Sequence, residues 1–240
     1  MNWSFFDRIY CINLFTRTDR LEKSKEIFNK LEIPVEYYRV HKHLTDGARG
    51  CFESHISIIK KAYYEGCKNV LIFEDDIIES PYFSNLLIKK SIEFLKITDW
   101  ELFYFGHQPN ILTNSTTVIS SNIIKTQSTL THSYAISRKY MKKLINITYE
   151  DIPIDKIYLK NNKSYALYPM AFYQDDSKSD IVTSAPITNL HFFESYAYYI
   201  NYSIIELIIL IVLIFVFTTL IFFKLFSNQR KTKLRIEIVL

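Results

Sequence analysis

The chain has 240 residues and is 48% hydrophobic, which is enough for one soluble domain of about 200 residues and an additional segment. Its formal net charge of +4 is too small to indicate nucleic-acid binding, so we expect no nucleic-acid partner. Three cysteines, Cys11, Cys51 and Cys67, form no CxxC pair. Their spacing excludes a disulfide framework and predicts buried thiols.

Strand and helix patterns alternate through the first half of the chain. The predicted strands are residues 8–14, 35–40, 70–73 and 102–105. Three helices are predicted between and after them: one capped by Thr18, one from residue 51 to Gly66, and one over residues 82–96. The alternation predicts an α/β sheet. Because residues 70–73 are wholly apolar, they predict a central strand covered on both faces.

The second half of the chain has a less regular pattern. We predict a strand at residues 133–136, followed by a short basic helix that Ser137 caps. Residues 164–173 are rich in aromatic side chains and predict one further strand. No internal repeat or low-complexity linker interrupts this region, so residues 1–200 are expected to form a single domain.

The C-terminal part contains a long uncharged segment. Residues 207–223 carry no charge, and two isoleucines before Glu206 extend the apolar run to residue 204. About 18 to 20 apolar residues span a bilayer, so we expect membrane contact through residues 204–223. The predicted helix occupies residues 201–224, and a basic tail follows at residues 225–240. The chain is therefore expected to be a single-pass membrane protein.

The sequence leaves the membrane orientation undetermined. Five basic residues and no acidic residue lie between Lys224 and Arg235, which places this tail in the cytosol and the domain across the membrane. The N-terminal residues do not resemble a signal peptide, which instead argues for a cytosolic domain. Sequons favour the luminal side, although an asparagine-rich chain generates them by chance; they begin at Asn2, Asn114, Asn146, Asn162 and Asn201.

Three adjacent carboxylates, Glu74, Asp75 and Asp76, follow the predicted central strand directly. In open α/β sheets, ligands bind beyond the carboxyl ends of the strands. A divalent cation with oxygen ligands would offset the repulsion between these side chains, and carboxylates suit Mg²⁺ or Mn²⁺. The alternative interpretation is that they are loop charges or caps of the next helix.

A second polar cluster follows the first predicted strand. It consists of Asn13, Arg17, Asp19 and Arg20. Two guanidinium groups beside a helix N-terminus suit an anionic ligand such as a diphosphate. Alternatively, the two arginines pair with Asp19 and Glu22 at a solvated helix start.

A third cluster lies at the start of the helix predicted to end at Gly66. It has the pattern Gly50-Cys51-x-x-Ser54-His55. His55 falls on the apolar face of the helix, where a hydrogen-bonded core histidine is the more common outcome. Ser54 is near enough to the helix start to cap it or to contact a ligand.

The ordered combination INLxxRxDR, GCxxSH and VLIFEDD resembles glycosyltransferase family 25. That family includes bacterial lipooligosaccharide galactosyltransferases and collagen galactosyltransferases. Further similarities are the segment HSYAIS at residues 132–137, a P-x-D element ending at Asp155, and a Ser-Asp-Ile triplet containing Asp180. The resemblance covers residues 7–182. The segment HKHLTDGAR, residues 41–49, is short and has no clear family signature for closing over the donor.

The resemblance implies a GT-A-like, Rossmann-like nucleotide-sugar-binding domain. Its implied activity is transfer of a hexose such as galactose from a UDP-hexose to a glycan or protein acceptor, with inversion. It implies metal ligation by Glu74, Asp75 and Asp76 and a catalytic base at Asp155, or otherwise Asp180. It also implies donor-binding roles for Asn13, Arg17, Asp19, Arg20, Ser54 and His55.

Two alternative functions remain open at this point. One is an inactive, membrane-tethered binding module with a glycosyltransferase-like domain. The other is a metal-dependent nucleotidyltransferase, although the chain has no glycine-rich phosphate loop. Asp175 and Asp176 form another acidic pair, for which an exposed loop is the simpler interpretation, and His191 is a further candidate metal ligand.

Overall fold

The computed structural model describes residues 3–108, 116–175, 208–209, 211–219 and 222. The strands are β1 Arg8–Leu14, β2 Glu36–Val40, β3 Asn69–Glu74, β4 Ile77–Glu79, β5 Leu102–Gln108, β6 Thr117–Ser120, β7 Ile123–Lys125, β8 Thr129–Ser137, β9 Ser164–Leu167 and β10 Phe172–Gln174. The helices are α1 Thr18–Lys30, α2 Gly47–Tyr64, α3 Asn85–Ile97, α4 Arg138–Leu144 and α5 Ile154–Tyr158.

Within the described residues, eight strands form one mixed sheet in the order β2-β1-β3-β8-β5-β9-β7-β6. Strands β2, β1 and β3 are parallel, whereas β8 runs antiparallel to both β3 and β5. A separate antiparallel pair joins β4 to β10. The α/β class predicted from the sequence is therefore confirmed.

Helices cover both faces of the sheet. Phe28 of α1 and Ile88 of α3 belong to one core cluster with Leu71 and Phe73 of β3. Helix α2 contacts α4 and α5 and packs against β1, while α4 and α5 contact β8. Consequently all four residues from Val70 to Phe73 are fully buried, as the unbroken apolar run predicted.

The order of the parallel strands creates a crevice beyond their carboxyl ends. Strand β1 lies between β2 and β3. The chain therefore passes through α1 to one side of β1 and then through α2 to the other side. The connection from β1 to β2 and the connection from β2 to β3 thus run in opposite directions along the sheet. Such a reversal of strand order opens a crevice outside the carboxyl ends of the strands, which is where ligands bind in open α/β sheets.

Several predicted boundaries differ from the structure. Helix α2 begins at Gly47, before the predicted start at Cys51, because the side chain of Asp46 accepts a hydrogen bond from the backbone N–H of Arg49 and caps the helix. Arg17, not Thr18, occupies the N-cap position of α1. The single strand predicted at residues 164–173 is two strands, β9 and β10, in different sheets, with a cis peptide bond at Pro169 between them.

The C-terminal unit, Tyr198–Leu240, is described only in part. Residues 211–219 are helical, and the apolar side chains from Ile211 to Phe217 are exposed. Among the described residues, no helix combines the length and apolar character needed to cross a bilayer. The rest of the predicted span at residues 204–223 lies outside the described residues.

Gly106 lies where β5 changes register against β8, and a side chain at this position would have no space. A Cβ atom would overlap both the imidazole of His132 and the carbonyl oxygen of Phe172. We predict that Gly106→Ala lowers the free energy of unfolding by about 1 to 3 kcal/mol, the usual cost of overpacking a core. Urea unfolding should show this loss, whereas the exposed control Glu26→Ala should leave stability within about 0.5 kcal/mol. Equal stability of the two variants would contradict the prediction.

Candidate active site

A cavity of about 120 Å³ occupies the crevice beyond β1, β2 and β3. Each neighbouring element contributes to its lining. The lining residues are Ile12 and Leu14 of β1, Arg20 of α1, Val40 of β2 and residues 41–43 after it, Gly47, Gly50, Cys51, Ser54 and His55 of α2, the carboxylates Glu74, Asp75 and Asp76, and Gln174 of β10. The acidic triplet and the GCxxSH cluster therefore meet in one cavity. Arg20, from the second polar cluster, lines the same cavity.

The parallel register of β1 and β3 brings Asn13, from the second polar cluster, to the acidic triplet. Ile12 is opposite Glu74, so Asn13 and Asp75 emerge at the same level. The side-chain amide of Asn13 donates a 2.5 Å hydrogen bond to Asp75 Oδ2. One guanidinium nitrogen of Arg20 lies 3.3 Å from Asp75 Oδ1 and 3.1 Å from Asp76 Oδ2. Arg20 thus supplies the positive charge that allows these carboxylates to lie side by side.

Asp75 and Asp76 differ in the oxygen atoms they leave for a ligand. Both carboxylate oxygens of Asp75 accept hydrogen bonds, one from Asn13 and the other from Arg20. Asp76 Oδ2 accepts hydrogen bonds from Arg20 and from Gln174, whose amide nitrogen is 3.2 Å away. Asp76 Oδ1, in contrast, is buried and has no hydrogen-bond donor among the described residues. An oxygen of this kind fits a divalent cation that prefers oxygen ligands.

The electrostatics of the triplet also indicate a deficit of positive charge. Burial, followed by the neighbouring charge of Glu74, raises the pKa of Asp76 to about 7. Burial likewise raises the pKa of Asp75. Burial opposes ionisation of Glu74 too, but hydrogen bonds from His55 and Thr131 outweigh it, so the pKa of Glu74 lies below its usual value. A bound cation would favour the ionised form of all three groups.

His55 connects the acidic triplet to the core. Its Nε2 lies 3.3 Å from Glu74 Oε1, and its Nδ1 lies 2.9 Å from the hydroxyl of Tyr134. That hydroxyl is in turn 3.0 Å from the hydroxyl of Tyr158. Thr131 donates a 2.6 Å hydrogen bond to the same oxygen of Glu74. His55 is only 1% exposed, so it is a hydrogen-bonded core histidine that also touches the site.

Arg17 and Asp19 pair with each other, as the alternative interpretation of the second cluster predicted. Arg17 Nε is 3.0 Å from Asp19 Oδ1, and a terminal guanidinium nitrogen is 2.9 Å from Oδ2. The hydrogen bond from Arg17 lowers the pKa of Asp19 to about 2. Neither residue is among the described residues that line the cavity. Of the two arginines, Arg20 is therefore the one at the site.

The start of α2 presents two small polar side chains to the cavity. The hydroxyl of Ser54 donates a 2.6 Å hydrogen bond to the carbonyl oxygen of Gly50, one turn earlier in the helix. Cys11 and Cys67 are buried as expected, but Cys51 is partly exposed at the cavity wall, which corrects the expectation that all three thiols are buried. The ligand atoms of Cys51, His55 and Glu74 lie within 4.8 Å of one another.

Asp155 lies in the first turn of α5, the helix that contacts α2. Pro153, not Asp155, occupies the N-cap position, so the carboxylate does not cap the helix. Asp155 is half-buried and is not among the described residues that line the cavity. Asp180, Asp176 and His191 lie outside the described residues.

Sequence reasoning missed several residues that line or support the cavity. Asp175, assigned to an exposed loop, donates its backbone N–H to the carbonyl oxygen of Asp76 and forms an ion pair with Lys23. Thr131 and Gln174 contact the acidic triplet from distant strands, and no local pattern marks them. The basic residues 41–43 also line the cavity, and their position directly after β2 places them at the carboxyl edge of the sheet.

The family model for glycosyltransferase family 25 (LPS biosynthesis protein) matches residues 36–158, about half of the chain. The chain belongs to glycosyltransferase family 25. A glycosyltransferase 25 family member from Aedes aegypti is 29% identical over 178 residues, which cover 62% of this chain and 29% of that protein. Procollagen galactosyltransferase 1-A from Xenopus laevis is 28% identical over 173 residues, which cover 59% of this chain and 28% of that protein. The chain thus spans less than a third of the length of these relatives.

The similarity to solved structures is weak. UDP-glucose pyrophosphorylase complexed with UDP-glucose has a TM-score of 0.41 and 9% identity to this chain. The aligned region covers 70% of this chain and 74% of that protein.

Arg20 and Arg17 provide a matched pair for testing the electrostatics of the triplet. We predict that Arg20→Ala destabilises the fold by about 3 to 5 kcal/mol at pH 8, because it leaves buried carboxylates without their cation. Arg17→Ala should cost no more than about 1 kcal/mol, since its partner Asp19 is exposed. Urea unfolding in the presence of a chelator measures both.

The destabilisation by Arg20→Ala should also depend on pH. Asp76 takes up a proton as the pH falls through about 7, which removes one of the unpaired charges. The cost of losing Arg20 should therefore be smaller at pH 6 than at pH 8. Two results would contradict this account. One is that Arg20→Ala lowers the free energy of unfolding equally at pH 6 and pH 8, and the other is that Arg17→Ala lowers it as much as Arg20→Ala does.

Proposed function

We propose that the domain transfers a hexose such as galactose from a nucleotide sugar, most simply a UDP-hexose, to a glycan or protein acceptor. The observation that supports this proposal is the oxygen of buried Asp76 that has no hydrogen-bond donor among the described residues, in a cavity at the carboxyl ends of parallel strands. Membership of glycosyltransferase family 25 supports the reaction class. The procollagen galactosyltransferases among its relatives support the choice of sugar.

We propose that Glu74 and Asp76 hold Mn²⁺ or Mg²⁺, while Asp75 positions Asn13 and Arg20. The metal would act as a Lewis acid that stabilises the charge on a departing nucleoside diphosphate. Arg20 shares its charge between Asp75 and Asp76 and so keeps the carboxylates packed together. The basic side chains of Lys42 and its neighbouring histidines line the same cavity and suit the diphosphate.

Inversion requires one general base that takes the proton of the acceptor hydroxyl. We assign this role to Asp155, with Asp180 as the second candidate. Asp155 lies in the first turn of α5. No hydrogen bond to its carboxylate occurs within the described part of the chain, so the group is available to an acceptor. Glu74 and Asp76 would hold the metal beside the departing nucleoside diphosphate, so neither is placed to take the proton of the acceptor.

A screen of nucleotide sugars tests the proposed reaction. We predict that, with Mn²⁺, the full-length chain hydrolyses or transfers from one UDP-hexose in preference to other donors, and that Asp76→Asn abolishes this activity. The amide removes a charge with little change in volume, so the fold should persist. The control Asp99→Asn alters an exposed aspartate paired with Lys139 and Lys163 and should remain active.

Two outcomes would overturn this assignment. Normal Mn²⁺-dependent turnover by folded Asp76→Asn would exclude the metal role of Asp76. Absence of any donor hydrolysis or transfer by the wild-type chain would favour the inactive binding module instead, especially if a nucleoside diphosphate with Mn²⁺ still raises its melting temperature.

Asp155 is tested by the same amide substitution. We predict that Asp155→Asn slows transfer by about 100-fold or more, the usual contribution of a general base, while binding of donor and metal is unchanged. Asp151→Asn is the matched control, because Asp151 is exposed and lies just before the same helix. Single-turnover rates and donor titrations separate the two effects. Normal turnover by Asp155→Asn would place the base elsewhere.

We also propose that the chain is attached to a membrane through residues 204–223. The uncharged run at residues 207–223 and the exposed apolar side chains of its described residues support this location. We predict that the full-length chain stays in the membrane pellet after alkaline carbonate treatment, which releases peripheral proteins. Recovery of the chain in the carbonate supernatant would refute a membrane span.

A further inference from the structure

Cys51, His55 and Glu74 form a group whose chemistry differs from that of the acidic triplet. Cys51 and His55 are four residues apart in α2 and therefore lie on one face of the helix. Glu74 reaches the same point from the end of β3. The thiol, an imidazole nitrogen and a carboxylate oxygen all lie within 4.8 Å of one another, which is close enough for a shared ion.

One distance within this group equals the spacing of two ligands around a single metal ion. Zinc binds imidazole nitrogen and carboxylate oxygen at about 2.0 to 2.1 Å, so two such ligands at a tetrahedral angle lie about 3.3 Å apart. His55 Nε2 and Glu74 Oε1 are separated by 3.3 Å. The sulfur of Cys51 lies within 4.8 Å of both other ligand atoms, and around a bound zinc ion it would approach them to about 3.5 Å.

The hydrogen bonds around the group orient its ligands. Metal-binding histidines usually engage the second ring nitrogen in a hydrogen bond, which selects the tautomer. Here the hydroxyl of Tyr134 lies 2.9 Å from Nδ1 of His55 and is itself 3.0 Å from the hydroxyl of Tyr158. Without an ion, Nε2–H donates to Glu74. When a cation takes the place of that proton, Nδ1–H can donate to Tyr134 and Tyr134 to Tyr158, so that the lone pair of Nε2 faces the metal. Thr131 holds the carboxylate of Glu74.

We propose that Cys51, His55 and Glu74 form a binding site for Zn²⁺, with the fourth coordination position open to the cavity. Mixed sulfur and nitrogen ligands favour Zn²⁺, whereas the carboxylates of the triplet suit Mg²⁺ or Mn²⁺. The two sites share Glu74 but differ in every other ligand. On binding, Cys51 gives up its thiol proton to solvent and becomes a thiolate ligand. This site does not depend on the proposed transferase activity.

Cobalt provides a direct readout of the sulfur ligand. The full-length chain, stripped of metal with a chelator, should develop a thiolate-to-cobalt charge-transfer band when one equivalent of Co²⁺ is added. Zn²⁺ should remove this band by displacing Co²⁺. Cys51→Ser should lack the band. It should also weaken Zn²⁺ binding, measured in competition with a chromogenic chelator, by at least about 10-fold, because losing only a residue that hydrogen-bonds to a metal ligand already has an effect of that size.

The chain offers matched controls for this experiment. Cys67→Ser removes a buried thiol that is outside the group and should keep the band and the zinc affinity. Asp76→Asn should also keep the band, which separates this site from the one proposed for Mn²⁺. Tyr134→Phe retains all three ligands but removes the hydroxyl next to Nδ1, so it should weaken Zn²⁺ binding by about 10- to 100-fold.

Two results would overturn the zinc site. One is the absence of a charge-transfer band in the wild-type chain with Co²⁺, which would leave the group as a hydrogen-bonded part of the core. The other is a band that persists in Cys51→Ser, because the sulfur ligand would then come from another cysteine. Thermal melts of each variant by circular dichroism establish that the compared proteins are folded.

Discussion

The bridge from Arg20 to Asp75 and Asp76 is the interaction on which the rest of the site depends. Two buried carboxylates next to each other repel and lose hydration, and such a pair is retained only if a cation compensates for both effects. One guanidinium group within hydrogen-bonding distance of both provides that compensation. Because Arg20 belongs to α1 and the carboxylates follow β3, the same contact joins the two halves of the crevice on either side of β1.

This bridge leaves the three acidic residues in different states. Each oxygen of Asp75 accepts a hydrogen bond from the protein, whereas one buried oxygen of Asp76 has no donor in the described part of the chain. Burial raises the pKa of Asp76 to about 7. Glu74 is kept ionised by donors from α2 and β8. Three neighbouring carboxylates in one peptide segment can therefore have separate functions, because their environments come from different parts of the fold.

The unit that contains this site spans less than a third of its curated relatives, yet the crevice is built within it. Its walls come from segments far apart in sequence, from Ile12 of β1 to Gln174 of β10. Helix α2 supplies both cavity-lining and core residues. Cys51 and Ser54 line the cavity, and the side chain of His55 forms a hydrogen bond with Tyr134 in the core. A single helix thus connects the cavity surface to the buried hydrogen bonds beneath it.

The sequence by itself determined the features that depend on local patterns. An unbroken apolar run identified β3, and the position of the acidic triplet at its end placed the triplet at the ligand-binding edge. The ordered motifs identified the family. The α/β class followed from alternation alone, because a parallel sheet needs a crossover between successive strands. Boundaries were less accurate wherever a capping side chain such as Asp46 extended a helix.

Only the tertiary structure decided which charges meet. Arg17 and Arg20 are equivalent in the sequence motif, but Arg17, just before α1, pairs with the exposed Asp19, whereas Arg20 within α1 reaches Asp75 and Asp76. Likewise, helical spacing put His55 on the apolar face without showing that Glu74 lies opposite it. Periodicity reports which face of an element is buried. It contains no information about the side chains that another element, distant in sequence, places against that face.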